Sequence, residues 1–292
     1  MMETRYTLGF VGIGLMGKPM TLRLLAADFS VNVWNRSPDK LSEVQQAGAV
    51  VCNTLAELVA NSDVILICLS DTQVVESVLI EQILPHGTPG KLIIDLSSID
   101  PATTRQLAAQ LKQTCSMHWV DAPVSGGTAG AEHGSLAIMA GGEAADIAVA
   151  REVLRPLYAR LTHMGDVGSG QTTKICNQMI VSCNVLVIAE MMALAQKAGV
   201  DTAKIPAALA GGFADSRPLQ IVGPEMAAKQ FEPIKWRVKT LLKDLNMAAK
   251  LASAQGCAVP MSGLAAQLMQ LHGSQGFLEH DPATLIKLYQ SD

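Results

Sequence analysis

Short β-rich apolar runs alternate with amphipathic stretches through the first half of the chain, and the alternation stops after Gly165. Strands are predicted at Leu8–Val11, Val31–Trp34, Val64–Leu69, Leu92–Asp95 and His118–Ala122. Helices are predicted at Met16–Ala27, Pro38–Ala47, Leu55–Ala60, Thr72–Leu84 and Ala102–Lys112. The strands are nearly continuous apolar runs, as expected where helices cover both faces of a sheet. Strand–helix alternation at this pitch predicts an α/β fold, a Rossmann-type doubly wound parallel sheet. A last strand pair, Leu136–Met139 and Leu161–Met164, brackets a helix predicted at Ala145–Tyr158.

From Gln171 to Ala198 no strong breaker occurs and apolar residues occupy every face. That pattern predicts one buried interdomain helix roughly 40 Å long, with Gly199 as its C-cap. Further helices are predicted at Ala203–Leu209, Gly223–Lys229, Val238–Ala254, Ser262–Gln270 and Pro282–Tyr289. The expected organisation is therefore an α/β domain over residues 1–166 and an all-α domain over 167–292. The run Ile175–Ala195 is apolar enough to suggest a membrane span, but Asn177, Gln178, Ser182, Asn184 and Glu190 within it are costly in lipid. A helix buried in protein is expected instead, with no membrane partner. Its apolar residues exceed what one small helical domain covers, so a homodimer or homotetramer is expected.

Composition narrows the function. Of 292 residues 49% are hydrophobic and 16% charged, which supports large cores and argues against disorder. Aromatics make up only 4% while methionine reaches 14 residues, so the cores are aliphatic and thioether, not a stacking platform for single strands. A net charge of −4 leaves no basic footprint for nucleic acid. Any anionic substrate must then be drawn in by local cations. The six cysteines contain no C-x-x-C pair and read as thiols of a reducing compartment. Met1–Arg5 passes directly into the first predicted strand without a secretory pattern, and a cytoplasmic location is expected. The histidines are dispersed, and Cys115…His118 is an isolated C-x-x-H at a strand entry, so no metal is expected.

Three segments carry chemistry. Gly12-Ile13-Gly14-Leu15-Met16-Gly17 follows a strand and opens a helix, the context in which G-x-G-x-x-G cradles a dinucleotide pyrophosphate. The acid that would bind the ribose hydroxyls of NAD is missing: the second strand ends in Asn35-Arg36-Ser37, where Arg36 and Ser37 suit a 2′-phosphate. NADP is the expected cofactor, with NAD possible. In Asp121-Ala122-Pro123-Val124-Ser125-Gly126-Gly127, the Ser125 hydroxyl and the backbone N–H groups of Gly126 and Gly127 form a loop suited to a substrate carboxylate. Gly168-Ser169-Gly170-Gln171-Thr172-Thr173-Lys174 then puts a lysine near a helix start, with Asn177 and Gln178 at i+3 and i+4 on the same face, where they can orient the lysine or bind the substrate's oxygens.

With Phe10–Gly17, Asp121–Gly127, Gly168–Gln178 and Lys243-Asp244-Leu245 in this order, the chain resembles the β-hydroxyacid dehydrogenase family over essentially its whole length. That family includes 3-hydroxyisobutyrate dehydrogenases and tartronate semialdehyde (2-hydroxy-3-oxopropionate) reductases. The resemblance implies that Lys174 is the catalytic acid/base, and reducing a carbonyl to an alkoxide does require a proton donor. It implies that Lys243 reaches the nicotinamide end of the site from the second domain and that Asp244 fixes its helix. Ser98 aligns with a hydroxyl near the nicotinamide ribose, where relatives more often carry Thr. Leu69-Ser70 lies along the cofactor's path, and Pro is commoner than Ser70 there. Leu209–Ser216 looks more like the tartronate semialdehyde reductase branch, whereas Arg217-Pro218-Leu219 departs from both branches.

The expected activity is reduction of a small anionic semialdehyde, or oxidation of the matching β-hydroxy acid. Reductases of short semialdehydes such as glyoxylate or succinic semialdehyde share every residue named, and a 3-hydroxyisobutyrate dehydrogenase is a further alternative. Imine reductases share the fold but typically lack a lysine at the position of Lys174. A non-catalytic NADP-binding scaffold needs neither Lys174 nor Lys243.

Overall fold

The structure, a computed structural model, describes residues 6–290. The expectation for Met1–Arg5 falls outside them. The chain forms two compact units, Met1–Lys174 and Ile175–Asp292, and the division lies inside one continuous helix.

The first unit runs β1 (Leu8–Val11), α1 (Gly17–Ala26), β2 (Val31–Trp34), α2 (Ser42–Gln46), β3 (Val50–Val51), α3 (Leu55–Ala60), β4 (Val64–Ile67), α4 (Thr72–Ser77), β5 (Leu92–Asp95), α5 (Pro101–Cys115) and β6 (His118–Asp121). It continues through β7 (Val124–Ser125), α6 (Gly127–His133), β8 (Leu136–Gly141), α7 (Ala144–Val153) and β9 (Tyr158–Gly165) to the first turns of α8 (Ser169–Lys197). The strands form a single sheet in the order β3-β2-β1-β4-β5-β6-β8-β7, with β9 also paired to β8. Side chains alternate between two cores. Val64 and Leu66 of β4 join Phe10, Leu24 and Val33 on one face, while Ile65 and Ile67 join Leu58, Leu107 and Leu111 on the other. Burial on both faces is why these strands read as unbroken apolar runs.

The sheet is not parallel throughout. From β3 to β6 every pairing is parallel, but β8 runs antiparallel to both β6 and β7. After β7 the short α6 turns the chain straight back, so that β8 returns alongside β7 in the opposite direction. Neither α6 nor β7 was predicted, because a glycine-rich segment shows no apolar period. The helix predicted to reach Tyr158 stops at Val153: Pro156 lies in a 3-10 turn that follows, and Tyr158 already belongs to β9.

In the second unit the rest of α8 is followed by α9 (Ile205–Leu209), α10 (Arg217–Ala228), α11 (Val238–Ala254), α12 (Pro260–His272) and a 3-10 turn over Pro282–Tyr289. The core gathers Val185, Ala189 and Met192 of α8 with Val222, Met226, Leu241, Leu245 and Met269. So α8, long and apolar enough to cross a membrane by length and composition, supplies the core of a helical unit. The start of α10, predicted at Gly223, lies at Arg217, because the Ser216 side chain accepts from Leu219 N (3.1 Å) and Pro218 occupies the first turn.

Candidate active site

The parallel register aligns Val11, Trp34, Ile67, Asp95 and Asp121 across neighbouring strands. The predicted cofactor residues of the first unit lie just beyond this line, at the carboxyl ends where doubly wound sheets hold ligands. Gly12 takes φ +102° and donates its N–H to the Trp34 carbonyl (3.2 Å). A Cβ on Gly12 would collide with the Cys68 carbonyl oxygen, and one on Gly17 with the Gly12 carbonyl oxygen, whereas one on Gly14 would meet nothing within 4 Å. The turn is thus tight at its two ends and open in the middle, and no side chain caps the start of α1. That geometry fits a pyrophosphate over bare N–H groups. Ile13 is buried inside the turn, while Leu15 is exposed and Met16 partly so.

Asn35 occupies the strand end where an acid would read an NAD ribose. Its Oδ1 accepts from Ile13 N (2.9 Å) and its Nδ2 donates to the Ser37 carbonyl (2.9 Å), so its side chain braces the glycine turn. Arg36 is exposed and forms no ion pair among the described residues. Leu69 N donates to Ser97 Oγ (3.0 Å), and Ser70, exposed, donates from Oγ to Asp71 Oδ2 (2.7 Å). Ser98 is partly buried between the buried Ser97 and Ile99.

The predicted anion loop is shorter than expected. Ser125 pairs with Ala137 at the end of β7, and Gly127 already opens α6, leaving exposed Gly126 (φ +138°) between them. Lys174 lies in the second turn of α8 and is only 8% exposed.

In the second unit Asn177 Nδ2 donates to Gln178 Oε1 (2.9 Å), and Gln178 Nε2 donates to Asp244 Oδ2 (2.5 Å). Asp244 is buried, and its Oδ1 stands 3.4 Å from Lys243 Nζ, an ion pair without hydrogen-bond geometry. Gln178, expected on the substrate, is therefore tied to α11 by its amide.

Asp95, Asp121 and Gln171, which were not predicted to be functional, meet at the start of α8, with Cys68 near Asp95. Asp121 accepts from Gly168 N (2.7 Å) and Gln171 N (2.8 Å). Gln171 donates from Nε2 to the Ser97 carbonyl (2.8 Å) and accepts at Oε1 from Ile99 N (3.1 Å). Asp95 Oδ1 accepts from Ser97 N (2.9 Å). Burial pushes the Asp95 carboxyl up to about 7, against the hydrogen bonds from Ser97 and helped by the neighbouring Asp121 charge. Asp121 is also raised by burial, with the Gly168 and Gln171 N–H groups opposing. Burial, helped by Asp95, pushes the Cys68 thiol up to about 12, so it stays neutral. The available signal was an aspartate ending two successive apolar strands.

His118, of the isolated C-x-x-H, sits at the other end of the sheet. Possible ligand atoms of His118, Glu143 and Asp146 lie within 4.8 Å of one another, but His118 already bonds Asp146 (3.0 Å) and Glu143 pairs with Lys112 (2.7 Å).

Comparisons with known proteins cover nearly the whole chain. Residues 7–165 match the family described as the NAD binding domain of 6-phosphogluconate dehydrogenase, and residues 168–289 match the one described as NAD-binding of NADP-dependent 3-hydroxyisobutyrate dehydrogenase. The chain is 35% identical to 2-hydroxy-3-oxopropionate reductase of Escherichia coli, over 96% of each chain. It is 30% identical to an NAD-dependent L-serine dehydrogenase of Pseudomonas aeruginosa, over 97% of each. Among solved structures, the 3-hydroxyisobutyrate dehydrogenase of Mycobacterium tuberculosis superposes with a TM-score of 0.89 at 28% identity, covering 99% of this chain and 100% of that one. A nucleotide turn at the strand ends and two consecutive family matches along the chain lead to one conclusion: this protein belongs to the β-hydroxyacid dehydrogenases, a family of NAD(P)-dependent oxidoreductases.

Proposed function

We propose that the protein reduces a small anionic semialdehyde to its β-hydroxy acid with NADPH, most like a 2-hydroxy-3-oxopropionate reductase. The observation that carries this reading is Lys174, a lysine only 8% exposed, on a helix whose first turn is hydrogen-bonded to the ends of β5 and β6, on the same carboxyl edge of the sheet as the nucleotide turn. A bound nicotinamide supplies the hydride equivalent to the carbonyl carbon. Lys174 gives the proton that turns the resulting alkoxide into an alcohol, and takes it back in the oxidative direction. Gly12, Ile13, Gly14, Leu15, Met16 and Gly17 hold the pyrophosphate, with Leu69, Ser70 and Ser98 along the nicotinamide half.

Arg36 and Ser37 take the 2′-phosphate. Support comes from the guanidinium of Arg36, exposed and without an ion pair among the described residues at a strand end that has Asn35 in place of an acid, and from the use of Asn35 to brace the turn. Ser125, Gly126 and Gly127 offer a hydroxyl and N–H groups to the substrate carboxylate. Asn177 is assigned to the substrate, Lys243 to substrate and cofactor, and Gln178 with Asp244 hold these two residues in place.

Steady-state assays with NADPH and NADH against tartronate, succinic and methylmalonic semialdehydes, glyoxylate and a cyclic imine test this reading. Turnover with NADPH and tartronate semialdehyde is expected to lead. Turnover of the imine alone, or of nothing, overturns it.

A second copy of the chain completes the assembly. Ile180, Val187 and Leu194 recur every seven residues on α8 and are all exposed, one apolar stripe along a helix whose opposite side fills the core. Light scattering is expected to give a dimer or tetramer. All six cysteines are thiols, in keeping with a reducing cytoplasm.

A further inference from the structure

Asp95 and Asp121 are register partners on adjacent parallel strands, and both are fully buried. Two carboxylates side by side out of water are costly unless donors hold them. The donors here come mostly from the start of α8. A helix leaves its first N–H groups without internal partners, and Asp121 takes that of Gln171 at 2.8 Å together with the N–H of Gly168, just before the helix, at 2.7 Å. Gln171 then uses its whole side chain. Its amide nitrogen donates to the Ser97 carbonyl and points at Asp95 Oδ2 (3.5 Å), and its oxygen accepts from Ile99 N. Ser97, held in turn by Asp95, accepts from Leu69 N, so the ends of β4, β5 and β6 are stitched to one helical turn. The approach is close. A Cβ on Gly170 would stand 2.7 Å from the Asp121 carbonyl oxygen and 2.8 Å from its Oδ2.

We propose that Asp121, Asp95 and Gln171 are positioning residues, which fix the first turn of α8 against the ends of β5 and β6 and thereby aim Lys174, one helical turn beyond Gln171. The proposal rests on the reading of Lys174 as the proton donor. None of the three residues touches the reacting atoms. Their effect is on where the lysine stands relative to the strand ends that carry the cofactor turn.

The test uses Asp121→Asn, Gln171→Met and Gln171→Glu in the full chain. The readouts are NADPH affinity by fluorescence, kcat with the best aldehyde of the panel, and amide hydrogen exchange over residues 168–174. Gln171→Met and Asp121→Asn are expected to lower kcat about 10–100-fold, the scale of a small misplacement of a catalytic group. NADPH affinity should fall much less than kcat, because the pyrophosphate turn rests on Trp34 and Asn35 and only the segment around Ser98 loses its Gln171 bonds. Exchange in the first turn of α8 should rise.

Gln171→Glu separates positioning from mere structure. The new carboxyl faces Asp95, Asp121, the neutral Cys68 thiol near Asp95, and Arg105 of α5 beside Gly168. Protonated, it donates to the Ser97 carbonyl as the amide does; ionised, it is repelled by the two aspartates. Its kcat relative to the unmodified protein should therefore be near recovery at about pH 5 and fall towards about pH 8. A loss that is equal at every pH and accompanied by equal loss of NADPH affinity overturns the proposal, as do unchanged kcat and exchange. If Asp121→Asn does not fold, the two Gln171 variants decide. If the unmodified protein turns over no aldehyde, the reading of Lys174 has failed, and the exchange data alone decide whether the three residues anchor α8.

Discussion

At the carboxyl ends of β5 and β6, Asp95 and Asp121 are sealed from water and held by backbone N–H groups at fixed distances. At the amino end of β6 and on the helices beside it, His118, Asp146, Glu143 and Lys112 carry more ionisable groups, but Glu143 and Lys112 are largely exposed to solvent. Burial raises both aspartates above the ordinary carboxylate value, Asp95 to about 7. Around Lys112 and Glu143 the shifts come from their mutual hydrogen bond, each favouring its charged form. The same side-chain chemistry thus does different things at the two ends, and desolvation with fixed donors makes the difference, not the number of charges. Only the first arrangement can hold a helix turn in one place.

The largest expected effect lies at the buried end. Lys174→Ala should cut kcat about 10²–10⁴-fold, the usual worth of general acid catalysis. NADPH affinity should barely move. Lys174→Arg should fail nearly as badly, since a guanidinium keeps its proton at working pH. Steady-state kinetics with a saturable aldehyde check both variants, and an arginine variant with near-normal kcat would reduce Lys174 to a charge that holds substrate.

Arg36 sharpens the contrast, because it is exposed like Lys112 yet sits at the ligand-bearing end. A charged hydrogen bond is worth about 1.5–3 kcal/mol, so Arg36→Ala should weaken NADPH about 10–100-fold. NADH should be nearly unaffected. Titration of both cofactors reads this directly, and equal losses would rule out a phosphate contact.

A smaller effect concerns stability. Asp95 titrates at about 7 in the folded protein against 3.8 as a free side chain, so the native state prefers its protonated form. Native stability is therefore favoured at low pH, declines as pH rises from about 4 to about 7, and loses nothing more above that window. Asp95→Asn keeps an oxygen for Ser97 N and removes the titration. Its urea midpoint relative to the unmodified protein should rise between about pH 5 and pH 8. A constant offset would show that Asp95 does not carry the effect.

The least is expected at the solvated end. Lys112→Ala removes a 2.7 Å pair whose side chains are 67% and 58% exposed, and such pairs often contribute nothing measurable. A clear drop in Tm at low salt would break the comparison between the two ends.

The order of strands and helices, the glycine turn and the long helix were legible along the sequence, because each is written in local periodicity. Apolar residues alternate faces in β4, and the glycines of Gly12–Gly17 stand at fixed spacing before a helix. The antiparallel β8 and the short α6 were not legible, since glycine-rich segments carry no period and their direction is set by what they pair with. The same limit applies at the candidate site. The sequence singled out Lys174 and Gly12, but Asp95, Asp121 and Gln171 are far apart along the chain and become one network only when β5 and β6 align in register beneath α8. Residue types and local spacing fix which groups a chain carries. Whether a carboxylate is a solvated charge or a buried anchor depends on the water that folding removes and the donors it brings, and only the tertiary structure decides that.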